Sequence, residues 1–82
     1  MNIGMLWFDN DPKTNLEGKV ERAADYYRSK YGHAPDICFV HPSMLQADPS
    51  KAGAVEVRSN KSVLPNHFWI GVNGKHSGKA NA

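Results

Sequence analysis

The chain has 82 residues, of which ten are lysine or arginine and eight are aspartate or glutamate, so its formal net charge is +2. A chain this short forms one domain, in which a single core only just offsets the conformational entropy of folding. The small positive charge does not by itself indicate nucleic-acid binding, and no apolar run approaches the ~20 residues that a membrane-spanning helix needs.

The first element in the chain is a short apolar run over residues 3–8, interrupted only by Gly4. It is rich in bulky side chains and too short for a helix, so it predicts a buried strand. Asp9, Asp11 and Pro12 come directly after it. Such an abrupt change from apolar to turn-forming residues is typical of the passage from a strand to a helix.

The start of the helix has two competing caps. Residues 14–17, Thr-Asn-Leu-Glu, fit the capping box, in which the Thr14 hydroxyl accepts from the third helical amide and the glutamate accepts from the threonine amide. Asp11 followed by Pro12 offers a start one turn earlier, because proline suits the first helical position. The helix is therefore expected to begin between residues 11 and 15.

The body of the helix carries one apolar stripe at helical spacing. The stripe consists of Leu16, Val20, Ala23, Ala24, Tyr27 and Tyr31. Gly32 supplies a left-handed stop and Pro35 prevents continuation, so the helix is expected to end there.

The second half of the chain predicts further short strands. Residues 37–41 are apolar up to His41 and predict strand 2, and residues 42–53 hold turn residues and one helical turn that Ser43 would cap. Residues 54–58 and 67–72 alternate between faces and predict two more strands. Residues 63–65 extend this pairing in one interpretation, although their proline confines them to an edge or a bulge.

These elements predict a small single-layer α/β sheet with one long helix on one face. A β-α-β crossover, with strands 1 and 2 parallel and adjacent, is followed by two or three antiparallel strands. Residues 1–72 form the single domain, and residues 73–82 form a flexible tail with too little apolar surface to order itself.

Strands 1 and 2 are apolar on both faces, yet one helix covers only one face of a sheet. The uncovered side is then an exposed apolar patch of the kind that marks an interface. Residues 42–53 and 59–66 could instead fold over it. Self-association or a stable protein partner is the preferred hypothesis, because so small a domain gains from additional burial.

Asp9 and Asp11 at the end of strand 1, with His41 at the end of strand 2, are the candidate catalytic or metal-binding residues. If the two strands are adjacent and parallel, these groups meet at one edge and suit a divalent cation or proton transfer at a phosphodiester. Ordinary structural roles compete with this hypothesis: Asp9 satisfies loop amides, Asp11 caps the helix, and His41 is an exposed strand end.

The candidate binding residues are aromatic or basic. Trp7 and Trp69 lie on a sheet with insufficient helical cover, Tyr26 lies off the apolar stripe of the helix, and Arg22 belongs to a group of cations that suits phosphate contacts. The histidines show no zinc-ligand spacing with each other or with Cys38, which is expected to be a small buried hydrophobe. No cofactor is indicated.

The leading functional hypothesis is a small non-enzymatic binding or assembly module that forms homo-oligomers, with a protein or, on weaker grounds, a nucleic acid as its partner. The rival is a metal-dependent phosphodiesterase or nuclease that uses Asp9, Asp11 and His41. The single cysteine and an N-terminus without the features of a signal peptide favour the cytoplasm. No motif identifies a family.

Overall fold

The computed structural model describes residues 3–73. Its elements are β1 (Ile3–Phe8), α1 (Leu16–Tyr31), β2 (Ile37–Val40), a short 3₁₀ helix (Pro42–Met44), β3 (Ser50–Ala52), β4 (Val55–Ser59) and β5 (His67–Val72). The predicted tail, apart from Asn73, lies outside the described residues. No helix within residues 3–73 is long and apolar enough to cross a bilayer.

The strands form one five-stranded mixed sheet in the order β1-β5-β2-β4-β3. Strand β5 is antiparallel to both of its neighbours, β1 and β2. Strand β4 is parallel to β2 and antiparallel to β3. The predicted fold class, a small single-sheet α/β domain with one long helix, is therefore confirmed.

The lateral order of the strands differs from the prediction in two respects. Strands β1 and β2 run in the same direction but are not adjacent, because β5 pairs between them. Strand β4, expected to pair antiparallel, does so with β3 but is parallel to β2. Alternation of apolar residues shows which face a side chain occupies, but the order of strands depends on long-range pairing that no local pattern encodes.

The core lies between α1 and one face of the sheet. It contains side chains from α1 and, from each of the five strands, the side chains that point toward α1. Its buried members are Met5, Val20, Ala23, Tyr27, Cys38, Val40, Ala52, Val55, Val57, Phe68 and Ile70. The helix buries the apolar stripe that the sequence predicted, and the crossover from β1 to β2 holds that stripe against the central strands.

The helix is capped one residue later than the capping box predicted. Asn15 is the N-cap, and its side chain accepts from the amide of Gly18 at 2.8 Å. The Thr14 hydroxyl instead donates to a carboxylate oxygen of Asp11 at 2.8 Å. A β-carbon at Gly18 would lie 2.7 Å from Cγ2 of Thr14, so glycine lets this threonine lie over the first turn. The predicted stop is confirmed, since Gly32 has a φ of 82° and its amide donates to Arg28.

The predicted helical turn after β2 is present as the 3₁₀ helix Pro42–Met44. His41 rather than Ser43 caps it, because its ring nitrogen Nδ1 accepts from the Ser43 amide at 3.1 Å. The sequence did not predict β3, a polar three-residue edge strand that is too short to show alternation. Residues 63–65 belong to a loop and form no part of the sheet.

Candidate functional site

Asp9 occupies the turn that follows β1. Its Oδ1 accepts from the amide of Asp11 at 3.0 Å, and its own amide donates to the carbonyl of Asn66. Its Oδ2 pairs with the guanidinium of Arg22 at 3.3 Å. Both carboxylate oxygens therefore have partners within the chain.

Asp11 makes a second set of contacts in the same turn. Its Oδ1 accepts from the amide of Lys13 at 2.9 Å, and its Oδ2 accepts from Thr14 and pairs with Arg22 at 3.3 Å. These hydrogen bonds, the Lys13 amide first, hold the pKa of the Asp11 carboxyl below its ordinary value. Arg22 also donates to the Thr14 hydroxyl at 2.9 Å, so one guanidinium joins α1 to the whole turn.

His41 does not meet the two aspartates as predicted. Because β5 lies between β1 and β2, the ends of those strands are about 10 Å apart, two interstrand spacings rather than one. The His41 ring instead contacts the amide and hydroxyl of Ser43. Within residues 3–73, no group of three or more histidine, cysteine, aspartate or glutamate side chains is placed to hold a metal ion.

Cys38 is fully buried in the core. Desolvation raises the pKa of its thiol to about 12, so the thiolate that a nucleophile or metal ligand requires is suppressed at neutral pH. The predicted role of a small buried hydrophobe fits this position.

The predicted binding residues are divided between the two faces of the sheet. Trp7 is half-buried on the face that carries the helix, where its ring packs on Tyr26 with centroids 5.0 Å apart. Its indole nitrogen is buried and has no hydrogen-bond partner among the described residues. Tyr26 and Arg22 are exposed on α1, whereas Trp69 lies on the opposite face. These four residues therefore do not form one surface.

The sheet face opposite α1 has no helix over it, and we call it the open face. Side chains from all five strands project from it. They are Leu6, Phe8, Ile37, Phe39, Lys51, Glu56, Arg58, His67 and Trp69. Three of the large apolar groups are well exposed: Leu6 at 58%, Phe8 at 56% and Trp69 at 37%. This is the exposed apolar patch that the sequence predicted.

The pairing register arranges the open face in rows across the sheet. Leu6 lies beside Trp69, Trp69 beside Phe39, and Phe39 beside Arg58; we call these four residues the tryptophan row. The next row contains Gly4, Gly71, Ile37 and Glu56 in the same strand order and continues to Lys51 on β3; we call it the glycine row.

The loop between β4 and β5 borders the open face without covering it. It forms one wall of a cleft of about 440 Å³, whose other wall includes Leu6, His67 and Trp69. Within this loop, the side chain of Val63 is buried and the side chain of Leu64 is exposed. The alternative in which residues 59–66 cover the second face is therefore not what the structure shows.

Sequence reasoning did not single out Leu6, Phe8 or Phe39 as site residues, and it considered Arg58 only as one of the cations that suit phosphate contacts. The signal that identifies them is strand alternation combined with knowledge of which face α1 covers. Once Met5 and Phe68 are assigned to the helix side, their neighbours in the strands must lie on the open face.

No protein-family model, no curated protein and no solved structure matches this chain.

Proposed function

We propose that this protein is a non-enzymatic binding or assembly module that acts through the open face of its sheet, with a protein partner, in the simplest case a second copy of itself. The observation that carries the proposal is the exposure of Leu6, Phe8 and Trp69 on one continuous sheet surface. Covering one large apolar side chain completely contributes about 1.5–3 kcal/mol, so a partner that covers this surface gains substantially.

The composition of the open face supports a protein partner. Aromatic side chains and arginine are enriched in the centres of protein interfaces. On the open face, Trp69, Phe39 and Arg58 lie side by side. The charges of the open face favour a nucleic acid less strongly than a protein, because Arg58 already forms an ion pair with Glu56 at 2.6 Å. A phosphate-binding surface needs cations that are free to meet phosphates.

The rival function, a metal-dependent phosphodiesterase at Asp9, Asp11 and His41, has less support. Arg22 supplies a positive charge at the position where a cation would compensate the two carboxylates. His41 lies across an intervening strand and caps a helical turn. A site for phosphodiester chemistry needs more convergent groups than these.

Sedimentation equilibrium tests the proposal directly. We expect wild-type protein to contain species heavier than 9.1 kDa at micromolar concentration, and Trp69→Ala to weaken association by tenfold or more, as truncation of a central interface tryptophan does. Tyr26→Ala is the matched control, because Tyr26 is also an exposed aromatic residue but lies on the helix.

Two results would contradict the proposal. One is that the wild-type protein is a monomer at high micromolar concentration and also binds no other protein. The other is a rise in melting temperature with Mg²⁺ or Mn²⁺ that Asp9→Asn abolishes, which would support the phosphodiesterase instead.

A further inference from the structure

The two central rows of the open face are complementary to each other in size. In the tryptophan row, Leu6 and Trp69 project from β1 and β5. In the glycine row, the positions two residues along the same strands are Gly4 and Gly71, which have no side chain. A bulky surface and a shallow surface therefore lie side by side, about 7 Å apart along the strands.

The same two rows are complementary in charge. On β4, Arg58 belongs to the tryptophan row and Glu56 to the glycine row. The two form an ion pair within the chain, and both remain partly exposed to solvent. At the β4 position the two rows thus carry opposite charges, and the glycine row then continues to Lys51 on the edge strand β3.

We propose that a second copy of this chain docks face to face on the open face, about a twofold axis that runs across the strands midway between the tryptophan row and the glycine row. This inference rests on the proposed function and specifies its partner and geometry. Rotation about that axis exchanges the two rows, so the tryptophan row of each copy faces the glycine row of the other.

The twofold rotation brings residues of compatible size and charge together. Trp69 lies over Gly71 of the second copy, Leu6 lies over Gly4 of the second copy, and Arg58 faces Glu56 of the second copy. Facing sheets pack about 10 Å apart with interdigitated side chains, and a large residue over a glycine satisfies that spacing. The two Arg58 and two Glu56 side chains form one neutral group in which unlike charges are neighbours.

The size of the open face suits a stable dimer. Five strands at ~4.8 Å spacing span about 24 Å, and five residues of strand span about 17 Å. Side-chain relief adds to this flat area, so two copies together bury on the order of 1,000 Å², the size above which specific interfaces are found.

Other occupants fit the open face less well. Residues 74–82, Gly-Lys-His-Ser-Gly-Lys-Ala-Asn-Ala, contain no large apolar side chain to cover it. A single-stranded nucleic acid would stack on Trp69 and Phe39, but it would need unpaired cations beside them. A second copy covers the apolar side chains and pairs Arg58 with Glu56 across the interface.

Charge reversal tests the geometry, measured by sedimentation velocity. Glu56→Arg makes positions 56 and 58 positive in both copies, and Arg58→Glu makes both positions negative, so each variant alone should lose affinity by at least about tenfold. An equimolar mixture should associate again, because Glu56→Arg then faces Arg58→Glu. The double variant Glu56→Arg with Arg58→Glu should also dimerise, since the rows remain complementary.

The helix provides a matched control. Asp25 and Arg28 form an exposed ion pair on α1 at 3.3 Å. Asp25→Arg and Arg28→Glu make the same charge changes on the other side of the molecule, and they should leave association unchanged. Circular dichroism of every variant checks that the monomer remains folded.

The outcomes separate this inference from the proposed function. If Trp69→Ala weakens association but charge reversal and mixing have no effect, the open face is an interface and the twofold geometry is wrong. If the wild type is monomeric, both fail. If Glu56→Arg instead binds oligothymidylate more tightly and Arg58→Glu loses that binding, the occupant is a nucleic acid and the inference is overturned.

Discussion

At the scale of single residues, Arg22 joins α1 to the turn that precedes it. Its guanidinium contacts Asp9, Asp11 and Thr14, which come from the turn between β1 and α1. The sequence identified both aspartates as notable but offered two interpretations. The sequence could not decide between them, because Arg22, the partner of both carboxylates, lies about two helical turns into α1. Its guanidinium reaches the aspartates only when α1 is in place beside the turn.

The first prediction concerns the pH dependence of stability. The folded state lowers the pKa of Asp11 below its ordinary value of 3.8. Folding therefore favours the charged carboxylate, and its contribution to stability is complete above the unfolded pKa and is lost as pH falls through the folded pKa. The difference in unfolding free energy between wild type and Asp11→Asn should consequently be larger at pH 7 than at pH 2, measured by urea denaturation.

Asp25→Asn is the control for that measurement. It removes an exposed carboxylate from α1 without touching the turn. A wild-type advantage over Asp11→Asn that stays constant from pH 7 to pH 2 would show that the carboxylate contacts in the turn do not stabilise the fold.

At the scale of elements, local patterns predicted most of the structure. The helix stripe, the stop at Gly32, and the strands β1, β2, β4 and β5 follow from spacing and turn residues alone. The N-cap was wrong by one residue, because Thr14 and Asn15 are both competent caps and the choice depends on Asp11 binding the threonine hydroxyl. Strand order was wrong because the pairing of β5 between β1 and β2 is a long-range event.

The second prediction concerns that cap. Asn15→Ala removes the side chain that accepts from the Gly18 amide, and it should lower the unfolding free energy by about 1 kcal/mol. Thr14→Ala removes side-chain hydrogen bonds to Asp11 and Arg22 but leaves the helical amides capped, and it should cost less. Urea denaturation at neutral pH measures both. A larger loss for Thr14→Ala would return the cap to Thr14.

At the scale of the whole molecule, the structure uses one helix to cover one face of a two-faced sheet. The sequence predicted this deficit, since strands apolar on both faces accompany a single long helix. It could not show that Trp7 and Trp69 lie on opposite faces of the assembled sheet and serve different surfaces. Trp7 is in register with the buried Phe68, whereas Trp69 is in register with the exposed Leu6.

The third prediction uses this separation, because each tryptophan reports on one face. In Trp7→Phe, the remaining Trp69 should lose contact with water when two copies dock, so its fluorescence emission should shift to the blue as concentration rises. In Trp69→Phe, the remaining Trp7 lies against Tyr26 on the helix side, and its emission should not depend on concentration.

The melting temperature provides an independent check on the same samples. Because association stabilises only the folded state, the melting temperature of Trp7→Phe should also rise with concentration. A concentration-dependent shift confined to Trp69→Phe would place the interface on the helix side, beside Trp7 and Tyr26, and would reverse the assignment of the open face as the surface where copies meet.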